Sequence, residues 1–70
     1  MTTLQRVIAI VGEETNTSTE KLNANTNFFD LGLDSLEFMS LIVALRELGD
    51  IPDEKIGGIN TIADVVNVLG

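Results

Sequence analysis

The chain contains no cysteine and no histidine. Those two absences exclude a disulfide framework, a thiolate nucleophile, a zinc site and a histidine general base. Basic residues are scarce too: four Lys and Arg stand against eleven Asp and Glu, a formal net charge of −7. That sign opposes phosphate backbones and anionic lipid surfaces, so neither nucleic acid nor a membrane surface is expected as a partner. It suits docking onto basic patches of larger proteins, although a merely solubilising acidic surface accounts for it equally well. The charge is lopsided, with three acids and two bases in residues 1–29 and eight acids and two bases in residues 30–70. No run reaches the roughly 18 consecutive apolar residues of a membrane span. The N-terminus lacks the basic stretch and apolar run of a secretory signal, so Asn16-Thr17-Ser18 reads as a chance glycosylation sequon and the expected location is cytoplasmic.

What is present is 70 residues, 44% of them apolar. That length fits a single domain, and a chain of this size buries only about 60% of its unfolded surface. A conventional enzyme pocket of ~300 Å³ or more would consume most of such a core. The expectation is a module on which other proteins act, and not an enzyme.

Leu4, Val7, Ile8 and Val11 recur at helical spacing behind a Thr2/Gln5 capping box, which predicts a first helix over about residues 3–14. Gly12 weakens the pattern and the Thr/Ser/Asn run 15–19 ends it. Residues 15–34 form a long connection whose Leu22, Phe28, Phe29 and Leu31 are expected to pin it across the fold, with one possible helical turn begun by Thr17. An interdomain linker is disfavoured because neither half could fold alone. Asp34 and Glu37 then open the strongest helix, predicted to run to about Leu48 with Gly49 as its stop. It is apolar nearly all round: Phe38, Leu41, Ile42, Leu45 and Leu48 make one stripe, and Leu36, Met39 and Val43 a second. A bundle of this size cannot cover both, so the second stripe is read as a small surface docking patch; the competing reading places Met39 and Val43 in the core. Ile51–Ile56 begins as a short third helix, cut off by Gly57-Gly58. Ile62, Val65, Val66 and Leu69, capped by Thr61 and Asp64, make the last; a strand over 65–68 would have no partner. The predicted fold is all-α, a small four-helix bundle with a short third helix and a long first loop.

Ser35 is the residue through which chemistry enters. It lies in the first turn of the strongest helix, where backbone N–H groups and the positive helix end favour an attached phosphate. Nothing nearby activates it as a nucleophile, so it is read as an acceptor that another enzyme modifies, the bland alternative being a simple helix-start residue. Asn23, Asn25 and Asn27 alternate with Asp34 at the twelfth position, loosely like a calcium loop. The neutral amides, Phe28 at the glycine position and the short Asp34 argue against a metal there.

Phe28-Phe29-Asp30-Leu31-Gly32-Leu33-Asp34-Ser35-Leu36 resembles the 4′-phosphopantetheine attachment motif of acyl carrier proteins. The resemblance continues through Leu41–Leu45, Ile51–Glu54 and Thr61–Leu69, and is looser over residues 1–27. It implies a four-helix bundle in which Ser35 bears a phosphopantetheine arm donated from coenzyme A, with Asp34 and Leu36 flanking it in the cofactor-binding motif. The arm's thiol would hold an acyl or aminoacyl group as a thioester. In this family the helix that starts at the serine is the recognition helix. That places Leu36, Glu37, Met39, Val43 and Glu47, with Asp34, where a phosphopantetheinyl transferase and acyl-loading, condensing or transferring enzymes with basic patches would dock. The implied role is a discrete, monomeric carrier serving fatty-acid, polyketide, peptide or related synthesis. Against the fatty-acid type, Ser40 and Arg46 stand where an acid is common, and the connection 48–52 is shorter. The alternative from a different class is an unmodified acidic adaptor that binds a partner through the apolar stripe. An enzyme in its own right is a distant third.

Overall fold

A computed structural model describes residues 1–70. Four α-helices follow in order, α1 (Thr3–Thr15), α2 (Ser35–Leu45), α3 (Asp53–Ile56) and α4 (Ile62–Leu69), with 3₁₀ turns at Thr19–Lys21, Phe28–Leu31 and Arg46–Leu48. The three longer helices each start at the capping box legible in the sequence. In α1, the Gln5 N–H donates to Thr2 Oγ1 (3.1 Å) and the Thr2 N–H to Gln5 Oε1 (2.8 Å). In α4, the Asp64 N–H donates to Thr61 Oγ1 (3.2 Å), while Asp64 Oδ2 accepts from the N–H groups of Thr61 (3.0 Å) and Asn60 (2.9 Å). Each box satisfies donors that the helix itself leaves unpaired.

α1 packs against both α2 and α4. Between them lies one core of twelve buried apolar residues, among them Val7 and Val11 of α1, Phe38, Leu41, Ile42 and Leu45 of α2, and Ile62 and Val65 of α4. Gly12 has a structural use that periodicity did not reveal. A Cβ there would lie 2.9 Å from the Thr17 carbonyl oxygen and 3.0 Å from Thr19 Cγ2, so its absence lets the chain after α1 fold back over the helix.

The long connection is anchored at fewer apolar points than expected and by more backbone. Leu22 and Phe28 are buried, Leu31 only partly, and Phe29 is half-exposed. Consecutive residues of a 3₁₀ turn point about 120° apart, so Phe28 and Phe29 cannot both face inward. The loop is instead latched to the approach of α4: the Phe28 N–H donates to the Asn60 carbonyl (2.9 Å), and the N–H groups of Ile62 and Ala63 donate to the carbonyls of Thr26 (3.0 Å) and Ala24 (2.9 Å). An antiparallel bridge joins Asn27 to Thr61. The single turn before Leu22 starts after Ser18, one residue beyond the expected Thr17, and with no side-chain cap. The predicted second helix is also shorter as an α-helix. It stops at Leu45 and tightens to a 3₁₀ turn through Leu48, a common ending for a helix that must turn at once.

Candidate functional site

The segment before α2 delivers Ser35 to the surface. Asn27 Oδ1 accepts from the Phe29 N–H (2.8 Å) and starts the Phe28–Leu31 turn. Gly32 ends it with φ +81°, a left-handed conformation that favours glycine. Asp34 follows in an extended conformation as N-cap: its Oδ1 accepts from the Glu37 N–H (2.8 Å) and its own N–H donates to Glu37 Oε1 (3.1 Å). These bonds hold the start of α2, so the position of Ser35 as the first helical residue is set from both sides.

Ser35 is exposed and its hydroxyl makes no hydrogen bond within the chain. The N–H groups of Ser35 and Leu36 are likewise unengaged, at the positive end of an eleven-residue helix. A phosphodiester on Ser35 Oγ would find free donors and no competing bond to break, so the residues fit such a group. No base activates the hydroxyl, so the arrangement offers an acceptor and not a nucleophile. The asparagines of the calcium-like spacing are turn formers, with Asn23 Oδ1 accepting from the Asn25 N–H (2.8 Å) as Asn27 does from Phe29.

Two hollows flank Ser35 and the start of α2. One, of about 270 Å³, is lined by Ser35 together with Phe29, Phe38, Met39, Ile56 and Ile59. The ring of Phe38 lies 5.8 Å from that of Phe28 and 5.2 Å from that of Phe29, so the aromatic cluster continues from the core to this cleft. The other, of about 390 Å³, lies between the end of α1 and Leu33, Leu36, Glu37 and Ser40. Ile56 and Ile59 were not singled out for the site. They follow Ser35 by more than twenty residues, and their only local sign is that they bracket Gly57-Gly58.

The two stripes of α2 separate as anticipated. Phe38, Leu41, Ile42 and Leu45 are buried, whereas Leu36 is 80%, Met39 40% and Val43 61% exposed. The core alternative for Met39 and Val43 is therefore set aside. Glu37 is exposed beside this stripe, though tied into the capping box, and Glu47 is exposed on the following 3₁₀ turn. No helix of the chain is long and apolar enough to cross a membrane.

Residues 5–69 match the family described as phosphopantetheine attachment site. Over 69 residues the chain is 41% identical to an acyl carrier protein of Prochlorococcus marinus (strain MIT 9515), an alignment that covers 94% of this chain and 86% of that relative.

Proposed function

This chain belongs to the acyl carrier protein family, and we propose that Ser35 is the residue that bears its 4′-phosphopantetheine. Membership implies the covalent arm and a role as carrier, not enzyme. The arm's terminal thiol supplies the thioester chemistry, and the protein supplies attachment, orientation and docking.

The observation that carries the assignment is the state of Ser35 itself: an exposed, unbonded hydroxyl on the first residue of α2, with two free N–H groups beside it. The Asp34–Glu37 box fixes the helix start without using the hydroxyl, leaving Oγ available to a transferase. Asp34 and Leu36 flank it in the motif. The exposed Leu36, Met39 and Val43, edged by Glu37 and Glu47, form the face that phosphopantetheinyl transferase and the loading, condensing or transferring enzymes meet: apolar contact supplies affinity, and the acids favour basic partner surfaces. Residues 1–70 act as one carrier domain, monomeric in its shuttling, for acyl or aminoacyl intermediates of fatty-acid, polyketide or a related synthesis.

The test is intact mass after incubation with coenzyme A and a broad-specificity phosphopantetheinyl transferase. One added arm on the native chain and none on Ser35→Ala is the expected result. Addition that survives Ser35→Ala would move the attachment elsewhere. No addition to folded protein by several transferases would leave an adaptor that binds through α2.

A further inference from the structure

The cleft beside Ser35 has a wall that its own helix does little to secure. Ile56 provides that wall from the end of α3, a single turn without a fully buried residue, in which Ile56 alone, partly buried, packs against the core. The turn hangs between Ile51 and Ile59, both buried, and leaves through Gly57-Gly58, where a Cβ on Gly57 would meet nothing within 4 Å. Its entry is held from α2's end by Arg46. The guanidinium donates through Nε (3.2 Å) and Nη2 (3.0 Å) to the Ile51 carbonyl and through Nη2 (2.6 Å) to Asp53 Oδ1. The Ile51 carbonyl accepts from no other group. The backbone bonds nearby are local, from the Gly49 N–H to the Arg46 carbonyl (3.3 Å) and from the Lys55 N–H to the Pro52 carbonyl (2.9 Å). Arg46 is thus the polar tie between the end of α2 and the start of α3.

We infer that Arg46 is a positioning residue: by forking onto the Ile51 carbonyl it fixes α3 and so sets one apolar wall, Ile56, of the cleft beside Ser35. The fork and not the ion pair carries this. Asp53 is 90% exposed and Arg46 37%, so their attraction is screened by solvent. Two bonds from a planar cation to one carbonyl define a direction that the single flexible ammonium of lysine does not. An acyl chain on an arm at Ser35 would find apolar cover in this cleft, so loosening α3 should expose its thioester; that consequence rests on Ser35 bearing the arm, and the consequence for α3 does not.

The first arm of the test therefore uses the unmodified chain and amide hydrogen exchange. The Gly58 and Ile59 N–H groups, bonded to the carbonyls of Lys55 (3.1 Å) and Ile56 (3.0 Å), report on α3. In Arg46→Met, which keeps the stem and removes the donors, their exchange should quicken about tenfold while amides of α1 and α4 keep their rates. Arg46→Lys should follow Arg46→Met, and Asp53→Asn should stay within about threefold of the native chain. Unchanged exchange, or quickening shared equally by all helices, would overturn the positioning role. The second arm loads an octanoyl thioester and follows its cleavage by hydroxylamine, expected to be several-fold faster in Arg46→Met. Equal cleavage rates beside a localised exchange effect would overturn the link to the cleft. Failure of the arm to attach at Ser35 would instead overturn the attachment assignment and leave the exchange result standing.

Discussion

Replacing Gly12 by alanine should destabilise this protein, against the ordinary rule for a helix interior. In an open helix the substitution gains about 1 kcal/mol from propensity. Here the added Cβ would sit 2.9 Å from the Thr17 carbonyl oxygen, 3.0 Å from Thr19 Cγ2 and 3.6 Å from Leu22 Cδ1. The threonine methyl can rotate away, but the carbonyl cannot easily retreat. Its residue is held by the Thr17 N–H bond to the Gly12 carbonyl (2.9 Å) and by the Thr15 hydroxyl donating to Thr17 Oγ1 (2.9 Å). Overpacking of this kind costs about 1–3 kcal/mol, so after the propensity gain a net loss near 1 kcal/mol is expected. In a domain of this size that lowers the melting midpoint by roughly 4–8 °C. Gly57→Ala is the matched control, since Gly57 has right-handed helical φ and ψ (−61°, −21°) and open space around it. It should gain about 0.4–1 kcal/mol by restricting the unfolded chain. Thermal and urea melts followed by circular dichroism read both. A Gly12→Ala midpoint that rises alongside that of Gly57→Ala would refute the close-approach argument.

Two other perturbations separate docking from folding and test a titrating cap. Leu36→Asn combined with Val43→Asn removes exposed apolar surface only, so the melting midpoint should move little while the rate of arm transfer by the transferase falls about tenfold; an unchanged rate would place docking on another face. The Asp64 carboxyl is held below the usual carboxylate range chiefly by the Asn60 N–H and then the Thr61 N–H, against partial desolvation, with the Thr61 hydroxyl adding to the lowering. Because the folded state favours the ionised form, this stabilisation is fully present above an unfolded value of about 3.9 and is lost as pH falls through the lower folded value. Asp64→Asn should be less stable than the native chain at neutral pH, with the gap narrowing below about pH 4. A gap independent of pH in acid denaturation would show that the carboxylate's charge is not what the cap uses.

The helix starts were legible because each capping box is written within four residues, and hydrogen bonds of that range form wherever the helix does. Helix ends were less legible. α2 tightens at Arg46 because the chain must turn toward Ile51, a partner five residues on whose carbonyl takes the guanidinium. Phe28 and Phe29 look equivalent in sequence, and only their placement on a 3₁₀ turn decides that one enters the core and the other faces the cleft. The latch from the long loop to Asn60–Ala63 was invisible for a plainer reason: it is made by backbone groups, which every residue carries.

By itself, then, the sequence determined the helical class, the caps, the split of α2 into two apolar stripes and the motif around Ser35. These are matters of local spacing and residue chemistry, which act along the chain. Tertiary structure alone decided which of Phe28 and Phe29 enters the core, how closely the first loop lies on Gly12, and that Ile56 and Ile59 stand beside a serine more than twenty residues earlier. Those outcomes depend on volume shared among distant segments. Packing assigns that volume only when α1, α2 and α4 close on one another.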